Sequence, residues 1–469
     1  MIKKVLLTLL ILNISLYANF YYSDGKKHEL KAKKTLRSVS ENSLILFKTN
    51  FGTTVGVDKK LIVSFENIEI KKTIEQKYNL TLIKSLNDSL FLYEVEDLKK
   101  TIEISNKIYE EEGVRFAHPD FHREKKVRAI TNDPHSNLLW HLNDDSEKNA
   151  DINIKEAWKW TKGAGVKVAV YDEGIDIDHI DLKDNVYKFA NFNNKDASSL
   201  PYNDDDKGHG TAVTGLLAAS ENRRGGVGVA PEINLYAVRY NDTSVSKDIE
   251  AYEWMMGEGV SVITNSWGTY QNLDAYNDTF EKLATQGRNG KGIIIIFAAG
   301  NNSQDLDGVN ENGANINDES ESPYVLSIAA STKNNTIASY SNYGSAVDLT
   351  APGGSQNGDG LFTTDATGIK GYSIDSYNYD FVGTSASAPI AAGVVALMLS
   401  VNPELTRDNI TDILKQTAQK LGDFTYDENG HNNHWGYGKI DAGAAVRVAR
   451  TYGKSNLKSF TRTMFAELF

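Results

Sequence analysis

Residues 166–174, Val-Lys-Val-Ala-Val-Tyr-Asp-Glu-Gly, set a short apolar run directly against a carboxylate and a glycine. A strand covered on both faces reads as such a run rather than as an alternation of apolar and polar residues. Comparable runs recur at 233–238, 261–264, 292–298, 324–329 and 347–349, with helix-length stretches between them. The pattern predicts an α/β domain: a parallel sheet with helices on both faces. Residues 385–401, rich in Ala, Val and Leu, predict a helix buried on most sides.

Upstream, the periodicity changes. Residues 61–65 read as a strand, 68–78 as a helix, 80–95 as a hairpin, 97–112 as a helix and 114–117 as a strand. That is a small α+β unit of the split βαβ kind, at about 60–121. It runs into a basic tail, Arg123-Glu124-Lys125-Lys126-Val127-Arg128, while residues 19–60 have no clear period. Residues 1–18 pass from Lys3 and Lys4 through an apolar stretch at 5–12 to Ala18, as a secretory signal does, and the apolar part is too short to span a bilayer. The expected organisation is a signal at 1–18, an N-terminal segment at 19–128, the α/β domain at 129–449 and a short tail at 450–469. No membrane span is expected once the signal is removed, and the expected location is secreted or periplasmic.

The net charge of −12 is unevenly divided: residues 1–128 hold 23 Lys and Arg against 17 Asp and Glu, whereas residues 129–469 hold 27 against 45. Two parts of opposite sign attract one another. An acidic body argues against nucleic acid as a partner and suits cationic substrates or calcium. With no cysteine in the chain, stability is expected to rest on core burial and bound cations instead of disulfides.

Three segments place a residue of catalytic type among small neighbours: Asp172 in Val170-Tyr171-Asp172-Glu173-Gly174, His209 in Gly208-His209-Gly210-Thr211, and Ser385 in Gly383-Thr384-Ser385-Ala386-Ser387-Ala388-Pro389. A serine hydroxyl becomes a useful nucleophile when an imidazole takes its proton, and the imidazole needs a carboxylate to fix its tautomer. Each residue alone has a commoner structural use, as a helix cap or a satisfied polar group. The three blocks in this order resemble the subtilisin-like serine protease family over residues 130–448, whose Asp, His, Ser order is a known variant of the triad.

The resemblance implies a subtilisin-like catalytic domain and a serine endopeptidase acting on polypeptides through an acyl-enzyme on Ser385. It also implies a self-processing zymogen whose residues 19–128 are an inhibitory propeptide. Asn301, in Ala298-Ala299-Gly300-Asn301, matches the family's side-chain donor to the oxyanion. Ala386 departs from the family, which usually has Met after the nucleophile. Ser266, Trp267 and Gly268 resemble the strand on which the family, its kexin and furin branch in particular, pairs an extended substrate. Glu173, Asp206 and Glu250 match acidic positions of that branch and imply a preference for Lys or Arg near the cut. The acidic segment that follows Ser-Trp-Gly in that branch is replaced here by Thr269-Tyr270-Gln271-Asn272. Asp133, Asp181 and Asn222 match the family's strong Ca2+ site, with Asp305 and Asp307 as a second candidate pair, and no organic cofactor is implied.

Two other classes fit less well. A non-catalytic binding module with a remnant groove has no use for Asp172, His209, Asn301 and Ser385 together. An esterase of the α/β-hydrolase type sets its serine in Gly-x-Ser-x-Gly and orders the triad Ser, Asp, His, and residues 383–387 lack the second glycine.

Overall fold

The computed structural model describes residues 20–23, 26–39, 42–49, 54–122, 130–146, 148–192, 208–240, 244–269, 271–309, 316–369, 371–422 and 424–453. The signal, the basic tail at 123–128, Asp206 and most of the C-terminal tail lie outside these. The chain divides into two compact units, Met1–Val127 and Arg128–Phe469.

The first unit is a seven-stranded sheet of β1 (Phe20–Ser23), β2 (Lys26–Val39), β3 (Asn42–Thr49), β4 (Thr54–Phe65), β5 (Thr81–Asn87), β6 (Leu90–Glu94) and β7 (Val114–His122). The order is β1-β2-β3-β4-β6-β5, with β7 also on β4. Since β6 is antiparallel to both β4 and β5, those two are parallel with β6 between them, which is the split βαβ arrangement. Helices α1 (Lys71–Lys77) and α2 (Thr101–Tyr109) bring Ile74 and Ile108 onto Leu61, Val63, Phe65 and Tyr93. The first three strands were not anticipated: β1 is only four residues long and β2 is lysine-rich, so the segment shows no clear apolar alternation.

The second unit is built on a seven-stranded sheet with every pair parallel: β8 (Lys167–Asp172), β9 (Val186–Asn191), β10 (Asn234–Arg239), β11 (Val262–Asn265), β12 (Ile294–Ala298), β13 (Leu326–Ser331) and β14 (Val347–Pro352). The order is β14-β13-β12-β11-β8-β10-β9. Alternate residues serve opposite faces, which is why the central strands are buried along almost their whole length. Val168, Val170, Ile294 and Ile296 pack under α4 (His209–Ala218) and α7 (Thr384–Val401), while Ala169, Tyr171, Ile295 and Phe297 meet Tyr252 of α5 (Val245–Gly257) and Phe280 of α6 (Asp274–Gly290). The short helix α3 (Ile154–Ala157), α8 (Arg407–Thr417) and α9 (Ala442–Thr451) complete the first face. Among the described residues, α7 is the one helix long and apolar enough to cross a membrane by length and composition, and it is the central core helix.

From β8 the chain runs to the edge strand β9, returns to β10 between the two, then crosses to β11 on the other side of β8 and builds outward to β14. In such sheets the crevice at the carboxyl ends of the strands where the direction switches is where ligands bind. Here that crevice lies at the ends of β8 and β11. A separate antiparallel pair, β15 (Leu361–Thr364) and β16 (Tyr377–Phe381), precedes α7.

Candidate active site

Strand register brings three of the motif segments side by side. Tyr171 pairs with Asn265 and Asn265 with Phe297, so Asp172, Ser266 and Ala298 leave the sheet from adjacent strands about 4.8 Å apart. Trp267 strengthens this by donating its indole N–H to Tyr171 O at 3.0 Å.

Asp172 is 1% exposed, and His209 is the first residue of α4. His209 Nδ1 lies 2.8 Å from Asp172 Oδ1, which also accepts the Glu173 N–H at 2.8 Å. A carboxylate acceptor places the proton on Nδ1 and leaves Nε2 as the base. Burial works against the charged imidazole, but the Asp172 charge and hydrogen bond, helped by the charge of Glu173, more than offset it, so the His209 pKa is raised above 6.5.

Ser385 is the second residue of α7, where Gly383 provides no side-chain cap and backbone N–H groups have no helical acceptor. Pro389 lies one turn on and has no N–H to give the Ser385 carbonyl, so the Ser266 hydroxyl donates to it instead, at 3.0 Å. This ties the Ser385 backbone to the end of β11. Ser385 Oγ in turn donates to Ser266 O at 3.3 Å, a long bond, and among the described residues no hydrogen bond joins it to His209. Ala386 is fully buried in the core behind Ser385.

Asn301 is oriented by its neighbour: its Oδ1 accepts the Thr384 backbone N–H at 2.8 Å and the Thr384 hydroxyl at 2.9 Å. With the oxygen so engaged, the amide nitrogen remains as a donor, and Asn301 lines the same cavity as Ser385. Gly300 makes the turn possible, with φ of +100° and a site where any Cβ would lie 2.3 Å from Asn342 Nδ2.

Ser266, Gly268, Asn301, Ser385 and Asp318 line one cavity of about 150 Å³. Asp318, which motif reading missed, is buried at the head of a short 3-10 turn, Glu319–Glu321, where it accepts the Ser320 N–H at 3.0 Å. Its only sequence signal was the Asp-x-x-Glu spacing of a helix start. Two more acids share the turn: burial raises the pKa of Glu319, and burial together with the charges of Asp318 and Asp307 pushes Glu321 up to about 7.

A larger cavity of about 310 Å³ lies on the other side of Gly268, walled by Tyr240, Val245, Trp267 and Tyr276, with Asp248 at its base. Asp248 accepts from the Tyr171 and Tyr276 hydroxyls, both at 2.6 Å. Glu250 does not join it. Residues two apart on a helix point about 200° from each other, and Glu250 is exposed, paired with Lys247 and part of neither cavity. Glu173 stays close enough to His209 to act on its charge.

Asp181 and Asn222 meet, with Asn222 Nδ2 donating to Asp181 Oδ1 at 3.1 Å. Asp133 gathers the same loop by accepting the backbone N–H groups of Asn222, Arg223 and Arg224 at 3.1, 2.6 and 3.2 Å, and its other oxygen accepts from Thr131 Oγ1. It therefore shapes the loop with both oxygens. The Asp181 carboxylate is buried between Asn222 and the Tyr377 hydroxyl, and burial raises the Asp181 pKa. A buried carboxylate close to a second acid, Asp133, suits a hard cation. Asp307 is turned away to Ser345, and Asp305 accepts the Asp307 N–H at 3.1 Å, so this pair serves its own turn.

The model of the subtilase family matches residues 163–438. The chain is 30% identical over 435 residues to a calcium-dependent protease of Trichormus variabilis, covering 83% of this chain and 63% of that protein. It is 32% identical to Furin-1 of Xenopus laevis over 70% of this chain and 43% of that one. Among solved structures, a protease of Pseudoalteromonas arctica matches with a TM-score of 0.57 at 27% identity, covering 68% of this chain and 99% of its own. The serine protease of Aeromonas sobria shares the fold, with a TM-score of 0.59 at 24% identity over 68% of each chain. The chain thus spans less than two thirds of the length of the curated relatives it matches, while the family's own segment takes in more than half of it and contains Asp172, His209, Asn301 and Ser385. This chain belongs to the subtilase family.

Proposed function

We propose that the chain is a serine endopeptidase that hydrolyses polypeptides through an acyl-enzyme on Ser385. The observation that carries this reading is the pair of buried Asp172 and half-buried His209 at 2.8 Å, set at the switch point of the sheet where Ser385 and Asn301 line a cavity.

An extended peptide pairs along residues 266–268, and the side chain before the cut enters the 150 Å³ cavity. The Ser385 hydroxyl exchanges Ser266 O for His209 Nε2, its oxygen attacks the carbonyl carbon, and its proton passes to the imidazole. Asp172 stabilises the imidazolium. The negative oxygen that forms faces Asn301 Nδ2 and the Ser385 N–H. The C–N bond then breaks, the leaving amine takes the proton from Nε2, and water repeats the sequence on the ester to restore Ser385.

Cleavage after Lys or Arg is supported by Asp318, with Glu319 and Glu321 behind it: a cationic side chain in that cavity relieves crowded negative charge. On a peptide library, wild type is expected to favour Lys or Arg over Leu before the cut. Asp318→Asn should shrink that preference by about 10-fold or more. A wild type indifferent to charge at this position would contradict the reading.

Calcium at Asp181 and Asn222 would neutralise the buried Asp181 carboxylate and tie the loop at 220–226 to the turn that holds Asp181. Chelation is expected to lower the thermal midpoint by about 5 °C or more, with recovery on adding Ca2+. Asp181→Asn should melt at one temperature with or without chelator, and a wild type unaffected by chelation would rule the site out. Residues 19–128 serve as the propeptide and residues 1–18 direct export; support comes from the unit boundary at Val127 and the opposite charges of the two parts.

A further inference from the structure

The connection between β15 and β16 carries no member of the triad, yet it is anchored beside it. The buried Asp365 carboxylate accepts the N–H groups of Ala366, Tyr372 and Ser373 at 2.9, 3.0 and 2.9 Å, and the Thr367 N–H donates to Asp176 Oδ2 at 2.9 Å. This base sits against the start of α4, since a Cβ on Gly208, the residue before His209, would lie 2.8 Å from Asp365 Oδ1. On the anchored base stand three large apolar side chains: Ile369 is 92% exposed, Ile374 88% and Tyr372 50%. The Tyr372 ring lies 6.0 Å from that of Phe381, and Phe381 lies 5.7 Å from the imidazole of His209. Phe381 and Tyr372 therefore link the catalytic base to the connection that carries the exposed Ile369 and Ile374.

Single exposed apolar residues are ordinary, but a cluster on an anchored turn beside a reacting group marks a binding surface. The chemistry names the occupant. His209 hands its proton to the leaving amine, so the part of the substrate after the cut passes along the imidazole. The part before it lies over residues 266–268, and none of Ile369, Tyr372 and Ile374 lines either cavity there. Resting on the peptidase reading above, we propose that Ile369, Tyr372 and Ile374 form an apolar seat for the first two residues after the scissile bond, giving a preference for large apolar side chains at those positions.

The test uses the full chain and peptides that share one sequence before the cut but carry Leu and Phe, or Ser and Gly, after it. A 4-nitroanilide with the same leading sequence has no residue after the cut and reports the triad separately. Wild type is expected to show kcat/KM about 10-fold higher for the apolar peptides, as burial of one or two side chains provides. Ile369→Ser with Tyr372→Ser and Ile374→Ser should narrow the ratio to about 2-fold, and the fully exposed Ile374→Ser alone should narrow it part of the way. A wild type that hydrolyses the anilide yet ranks the peptides equally overturns the proposal. So does a variant whose anilide and peptide rates fall in step, because the loop would then only be holding His209. Hydrolysis of neither substrate by wild type would defeat the peptidase reading itself.

Discussion

Ser385→Ala is expected to lower kcat on any peptide substrate by about 10⁶-fold, the order of loss established for removing the serine of a subtilisin triad. The same substitution should leave the precursor whole, whereas wild type should accumulate a form beginning near Ala129. The loss is so large because the members of a triad act as a unit: without the hydroxyl, His209 has nothing to deprotonate except water. The fold should survive, since Ser385 Oγ contributes only a 3.3 Å bond to Ser266 O, whereas the backbone tie from the Ser266 hydroxyl to Ser385 O is untouched. A folded Ser385→Ala protein that still matures and cleaves would remove Ser385 from the mechanism.

Asp172→Asn is expected to cost about 10⁴-fold in kcat with little change in KM. An amide nitrogen facing His209 Nδ1 would favour the tautomer whose proton sits on Nε2, where the base is needed. The pH profile gives a second sign. In wild type the imidazole must be neutral to accept the Ser385 proton, and because Asp172 raises its pKa, the acid limb of kcat/KM should fall above pH 6.5. Without the carboxylate, burial remains and disfavours the cation, so the limb should move to lower pH. A variant that keeps full activity, or whose acid limb moves upward, would show that Asp172 does not hold the base.

The parts of this fold that could be read from the sequence are those where burial is complete. Strands β8, β10, β11 and β12 are apolar on both faces and announce themselves, and the same holds for α7. β9 escaped because it is an edge strand whose Tyr187 and Lys188 stand exposed, and β15 and β16 because a short pair beside helices has no period long enough to register. In the site, Asp172, His209, Ser385 and Asn301 were legible since each closes or opens a regular element. Asp318 was not, because it is one of several acids between 305 and 321 and only the turn at Glu319–Glu321 carries it into the cavity. Likewise, a sequence match picked Glu250, while the rotation of α5 delivers Asp248 to the cavity two residues earlier. Ile369 and Ile374 carry no motif at all; only the Asp365 anchor shows that the connection bearing them is held against the residue before His209.

Treating the mature protein with a fluorophosphonate probe and locating the adduct by peptide mass spectrometry reports directly on nucleophilic activation. Stoichiometric phosphonylation of Ser385, absent after Asp172→Asn or His209→Ala treatment for the same time, is the result predicted here. An unmodified Ser385 in a folded wild-type protein, or an adduct on some other serine, would contradict the account.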